Sequence, residues 1–213
     1  EKQLGTNPYK FGLAGGSDAH TGLSAMEEDN FFGKTAPQEP GPERMGAAFI
    51  KNPQTGVTVM DWEVAAAGYS AVWARDNTRE SIWDAMQRKE TYGTTGTRMA
   101  VRFFGGWDYA PEDARDRLPA ELGYRKGVPM GGDLNNAPEG KAPTFLVAAL
   151  KDPIGANLDR YQIVKGWLDA GGKLHERVYD VAWSGDRKPG KDGKVPSVGS
   201  TVDVANATWT NTI

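Results

Sequence analysis

Apolar residues come in short runs along this chain, separated by stretches rich in glycine, proline and charge. The run Tyr9 to Gly16 (YKFGLAGG) predicts a short buried strand, with Ser17-Asp18-Ala19-His20 at its C-terminal end. Residues 21–56 are polar and broken by Gly and Pro, and predict a long loop. A loop of that length in a compact domain is usually functional or covers a site. Gly68 to Ala74 predicts a second short strand, and a helix follows it. Asn77 is placed to cap that helix, with Glu80 answering as in a capping box. Ile82, Trp83, Ala85 and Met86 form its apolar stripe, Asp84 and Arg88 stand at ion-pair spacing, and the helix ends near Glu90. Thr91 to Phe104 is strand-like, with a break at Gly96.

Beyond residue 104 the texture changes. Thr144–Leu150, Tyr161–Trp167 and Arg177–Trp183 are short strand-like runs. Turn chemistry at Asp152–Gly155, Ala170–Lys173 and Ser184–Asp186 divides them, and this pattern predicts an antiparallel β-sandwich. Val128 to Asp133 reads as a loop leading into it, and Lys188 to Ser197 as a mobile basic hairpin loop. The order strand, loop, strand, helix, strand before residue 100 predicts an α/β barrel or layered sheet. The expected domains are therefore residues 1–100 and 101–213. No internal repeat of fixed period is present.

Composition narrows the chemistry. The net charge is −3, which argues against a broad nucleic-acid face. There is no Cys, so thiol nucleophiles, Cys-type zinc sites and disulfides are excluded, with a weak lean towards an exported protein. No apolar run approaches the ~20 residues that span a bilayer. The chain begins at Glu1 and ends in the strand-like Trp209–Ile213, and both ends are expected to be cut points in a longer protein.

Only two histidines occur. His20 stands two residues after Asp18, and in an extended segment such residues point the same way. A carboxylate and an imidazole then converge on one ion or on two neighbouring ions, a donor set suited to Zn, Mn or Fe. The plain alternative makes Asp18 a turn cap and His20 a hydrogen-bonded surface residue. His175 reads as a strand or hairpin surface residue. Lesser candidates each have an ordinary counterpart. Thr21 can orient a ligand or simply close a turn. Glu27, Glu28 and Asp29 offer an extra ligand or a solvated loop. Arg79, at a helix start, suits a phosphate or sulfate, or a surface pair. Thr94, Thr95 and Gly96 line a pocket or form a β-turn. Asp152, Asn157 and Asp159 have a faintly calcium-loop spacing but lack the glycine and final Glu of an EF-hand, so a turn explains them better. Trp107, Trp167, Trp183 and Trp209 suggest a sugar platform, although core packing explains most of them.

The segment Phe11-Gly-Leu-Ala-Gly-Gly-Ser-Asp-Ala-His-Thr-Gly22 resembles the late metal-binding motif of the PHP (polymerase and histidinol phosphatase) superfamily, a strand ending in G-S-D-x-H. The stretches Asn7–Gly12, Asn30–Lys34, Ala71–Glu80, Arg88–Gly96, Val128–Asp133, Asp152–Trp167 and Val178–Lys188 extend the likeness to a large bacterial family of unknown function with a PHP-like core. The resemblance implies the C-terminal portion of a distorted PHP-type (β/α) barrel, followed by a β-sandwich-like antiparallel extension. It implies that Asp18 and His20 bind metal; Thr21, Arg79 and Thr95, read from the residues themselves, remain lesser site candidates beside them. It implies one to three divalent transition ions (Zn, Mn or Fe), a small-molecule ester substrate, and hydrolysis by metal-activated water in the periplasm or outside the cell. That family carries an early H-x-H motif and further ligands upstream. None is present here, so the expected partner is a missing N-terminal part of the same polypeptide, without which the fragment is inactive. A rival reading from another class is a β-rich binding module for carbohydrate. A hydrolase of another ester or amide is a third.

Overall fold

The computed structural model describes residues 3–22, 34–35, 41–64, 68–203, 205–206 and 208–213. They fall into two compact units, one of Tyr9–Asp152 and one of Glu1–Pro8 with Pro153–Ile213. The expected boundary at residue 100 falls at the start of a strand inside the larger unit.

The larger unit is built from small antiparallel ladders. Strands β1 (Ala48–Lys51) and β2 (Thr58–Met60) pair with each other, β1 within the stretch 21–56 expected to be one long loop and β2 just beyond it. The turn between them is set by Asn52, whose side-chain oxygen accepts from the backbone of Gln54 and Thr55. Strand β3 (Ser70–Val72) is followed by helix α1 (Arg79–Gln87) and strand β4 (Thr91–Gly93). β3 and β4 are antiparallel, with Ala71 opposite Tyr92. Strand β5 (Ala100–Gly106) lies between β6 (Gly127–Pro129) and β7 (Thr144–Leu150), antiparallel to both. Helix α2 (Pro119–Lys126) precedes β6 and covers this sheet. In the smaller unit β8 (Arg160–Leu168) and β9 (Leu174–Trp183) form a two-stranded ladder.

The expected fold is therefore corrected. A portion of a (β/α) barrel needs parallel strands joined by crossover helices. Here both strand–helix–strand units, β3–α1–β4 and β5–α2–β6, close antiparallel, the ladders are separate pairs and one triplet, and no closed barrel is present among the described residues. No two sheets stack as a sandwich within the smaller unit either, since β8 and β9 are its only named strands among the described residues. The buried strand expected at 9–16 is irregular backbone, and Tyr9, Phe11 and Leu13 are exposed. The cap of α1 is Thr78 rather than Asn77: its hydroxyl accepts from Ser81 N at 3.2 Å. Of the α1 stripe only Ala85 is fully buried, while Trp83 and Met86 are exposed. Arg88 turns from Asp84 to Glu90, at 3.3 Å.

The core of the larger unit is small. Phe104 on β5, Leu122 on α2 and Leu146 on β7 form it, flanked by Tyr109 and Ala120. Gly123 gives Phe104 its room, because a Cβ there would press on the ring at about 2.5 Å. Each large side chain so buried contributes about 1.5–3 kcal/mol. Beside this core lies an ionic knot around Glu90, which is 2% exposed. Its carboxylate accepts from Arg88, from Arg102 at 3.4 Å and from the Tyr124 hydroxyl. The Arg102 guanidinium carbon also lies over the Trp73 ring, 3.3 Å from its centroid. Burial, and then the hydrogen bond to Glu90, push the Tyr124 hydroxyl above its ordinary pKa.

The smaller unit has a second knot. Asp180 accepts from Val195 N at 2.6 Å, Gln162 at 2.7 Å and Arg160 at 3.2 Å, and these hold its carboxyl below the usual range. Arg187 donates to Asp159, Ser184 and the Pro196 carbonyl. The loop 188–197, expected to be mobile, is tied down through buried Val195.

Candidate functional site

The backbone approaches Asp18 along a track of glycines. A Cβ at Gly12 would lie 2.6 Å from Thr91 Oγ1, and one at Gly93 would lie 2.6 Å from Gly15 N. Only bare backbone fits between this segment and β4. The Ser70 hydroxyl donates to the Gly15 carbonyl and pins the chain three residues before Asp18. Asp18 then takes a left-handed conformation (φ 48°), which Asp tolerates better than most residues. Beyond it, His20 N donates to the Lys34 carbonyl at 2.8 Å, and His20 forms a parallel bridge with Thr35.

This turn sets the two side chains against each other. His20 Nδ1 lies 2.8 Å from the Asp18 carbonyl oxygen, a contact that works only with Nδ1 protonated. In a neutral ring Nε2 then carries the free lone pair, and it lies 3.9 Å from Asp18 Oδ1. The other carboxylate oxygen, Oδ2, accepts from Lys34 Nζ. That hydrogen bond, and then the charge of Lys34, hold the Asp18 carboxyl below its ordinary value of 3.8, so it is ionised at neutral pH. Lys34 is only 10% exposed, whereas Asp18 and His20 are 68% and 62% exposed.

Bonds of carboxylate oxygen and imidazole nitrogen to Zn or a similar ion are about 2.0–2.2 Å. Donors 3.9 Å apart can therefore share one ion with little movement. The pair fits as two ligands of such an ion. Among the described residues no group of three or more His, Cys, Asp or Glu is placed to hold one, so the ligand set is incomplete there.

The lesser candidates are not drawn in. Arg79 opens α1 and is exposed, and its side chain makes no hydrogen bond or ion pair among the described residues. Thr95 is exposed too, next to buried Thr94, whose hydroxyl accepts from Tyr69 N at 3.4 Å. No hydrogen bond or ion pair joins either to Asp18 or His20. Thr21 follows His20 and is half-buried. Glu27, Glu28 and Asp29 lie outside the described residues. Asp152 accepts from Arg98 N at 2.7 Å, Asn157 bonds to Asn211, and Asp159 pairs with Arg160 and Arg187. Each is thus engaged in holding loops. Trp107 and Trp183 donate to backbone carbonyls of Asn135 and Arg187, while Trp167 and Trp209 are exposed rather than in a core.

Two groups were not anticipated. Lys34 is sixteen residues from the carboxylate it pairs with, and no local pattern announces that contact. Asp61 is 2% exposed and its Oδ2 has no hydrogen-bond partner among the described residues, which an ordinary D-W-E stretch does not signal.

The geometry describes a β-rich chain of small antiparallel ladders that carries an accessible Asp–His pair on a glycine-anchored turn. The chain belongs to a family described as a protein of unknown function (DUF3604), whose model matches residues 1–213. No curated protein and no solved structure matches it. Among the described residues no helix is long and apolar enough to cross a membrane.

Proposed function

We propose that the chain contributes Asp18 and His20 to a metal-dependent hydrolase that cleaves a phosphate ester or a related small-molecule ester, in the periplasm or outside the cell. The observation that carries this is the approach of His20 Nε2 to Asp18 Oδ1, with Nδ1 already held by backbone and both side chains open to solvent. The likeness of Phe11–Gly22 to the G-S-D-x-H metal motif supports the same reading. A bound Zn, Mn or Fe ion supplies Lewis acidity and lowers the pKa of its water. The backbone contact from Asp18 fixes the tautomer that leaves Nε2 basic. Lys34 keeps the carboxylate ionised and also competes with a cation for it. The remaining ligands come from residues other than those described.

Metal analysis of the purified protein, beside Asp18→Ala and His20→Ala, is the test. Near-stoichiometric Zn, Mn or Fe that both variants lose is expected. Wild-type protein without transition metal, or variants that retain it, would overturn the reading.

A further inference from the structure

The β8–β9 ladder carries a second arrangement, unrelated to Asp18 and His20. Register places Trp167 opposite His175, Lys165 opposite Arg177, and Ile163 opposite Tyr179. Alternate residues of a strand share a face, so these six stand together in three rows. An aromatic row comes first, then a row of two cations, then a row holding a second aromatic ring. The outer rows are four residues apart, about 13 Å along the strands.

The cation row is in conflict with the ladder. Like charges directly opposite each other destabilise an antiparallel pair. Lys165 and Arg177 are exposed, and neither makes an ion pair among the described residues. They splay apart instead. Lys165 Nζ lies over the Trp167 ring, 4.8 Å from its centroid, and Arg177 lies over Tyr179 at 4.7 Å. Exposed cation–π contacts of this kind are weak, so an anion between the two cations can draw both back and uncover both rings. The carboxylate of Asp169, just past the end of β8, is already committed: it pairs with His175 Nε2 at 2.9 Å. That bond holds the His175 ring flat against Trp167, at 5.1 Å and 16°.

We infer that this face binds an acidic carbohydrate chain. Its sulfate or carboxylate would sit between Lys165 and Arg177, and the C–H faces of neighbouring pyranose rings would stack on Trp167 and Tyr179. The electropositive C–H edges of a sugar suit the negative face of an aromatic ring. The charge pattern favours a glycan over single-stranded nucleic acid. A nucleic acid strand repeats its charge at every nucleotide and needs a continuous cationic track. Here both cations stand opposite each other at one level of the ladder, an arrangement suited to a single anionic group, in a chain of net charge −3.

The test is calorimetric titration of the full chain with four probes: chondroitin sulfate oligosaccharide, oligogalacturonate, a neutral cello-oligosaccharide and a dT oligonucleotide. Saturable binding of at least one acidic glycan is expected, with the preferred probe telling sulfate from carboxylate. The neutral probe should bind about tenfold more weakly or worse, a loss of one ion-paired contact. Lys165→Gln and Arg177→Gln should each weaken acidic binding by about tenfold, Arg177→Lys should restore most of it, and Trp167→Ala should remove it. The two Gln variants are surface changes whose thermal unfolding should match wild type, so their loss of binding is not a loss of fold. Asp18→Ala should bind the glycan as wild type does, which separates this site from the metal reading. Equal binding of the neutral probe, tighter binding of the oligonucleotide, wild-type binding by the Gln variants, or no acidic binding at all would each overturn the inference.

Discussion

Changing Glu90 to Gln alters one oxygen to an amide nitrogen and leaves the shape intact. In the wild type all three of its partners are donors: Arg88, Arg102 and the Tyr124 hydroxyl. The amide would have to turn an N–H2 group towards at least one of them. Arg102, whose side chain is 20% exposed, would also lose its counter-charge, while Arg88 is half exposed and recovers much of its hydration. Removing one partner of a buried ion pair costs about 3–5 kcal/mol. The exposure of Arg88 argues for the lower end, about 3 kcal/mol. With a urea slope of about 2 kcal/mol/M, the unfolding midpoint should fall by about 1.5 M. The probe should report the larger unit alone, and the indole N–H resonance of Trp73, which donates to the Val101 carbonyl at 2.8 Å, does so. Replacing Glu90 and Arg102 together by Met should recover most of the loss, because no unpaired charge is then left buried. A midpoint shift below about 0.4 M for Glu90→Gln, under 1 kcal/mol on the same slope, would refute the view that this carboxylate holds α1, β5 and α2 together.

Three further outcomes follow from the structure. Lys34→Met should raise the Asp18 pKa towards its ordinary 3.8, read by carboxyl NMR titration, and under the metal reading should tighten Zn binding severalfold by removing a competing cation. Gly68→Ala forces a side chain onto a backbone at φ 141°, against the Thr94 carbonyl, and should cost about 2–3 kcal/mol, a fall of roughly 6 °C in melting temperature. The Asp180 carboxyl is held low by Val195, Gln162 and Arg160, so its contribution is complete above pH 3.8 and disappears as the pH falls through its lower folded value; the Val195 amide resonance should move only in that acidic window, and at neutral pH in Asp180→Asn.

The elements legible in the sequence were those whose information is local. β7, β8 and β9 lie where runs of alternating or apolar residues met turn chemistry, and the turn after Leu168 closes through Asp169, as its Gly-Gly pair suggests. α2 was not legible, because it is short, opens with Pro119 and contains Gly123, whose missing side chain serves Phe104 and not the helix. Strand direction was not legible either. An α/β reading of β3, α1 and β4 assumed a parallel crossover, whereas pairing is decided by long-range contacts such as Trp73 N to the Glu90 carbonyl at 3.0 Å. At the candidate site, the closeness of Asp18 and His20 was expected from alternation along a strand. It arises instead from a left-handed turn, and Lys34 joined it from a position no spacing rule reaches.

The turn bearing Asp18 and His20 leans on a ladder of three-residue strands, while the slow-opening heart of the same unit is the Phe104 cluster. Short ladders open locally at far lower free energy than the packed centre. A ligand that needs the turn formed must therefore draw on its binding free energy to keep it closed, and in return it raises the protection of β3 and β4 with its concentration. Hydrogen exchange in that two-stranded ladder would then report occupancy of the Asp–His pair, while the amides of β5 stay indifferent to it.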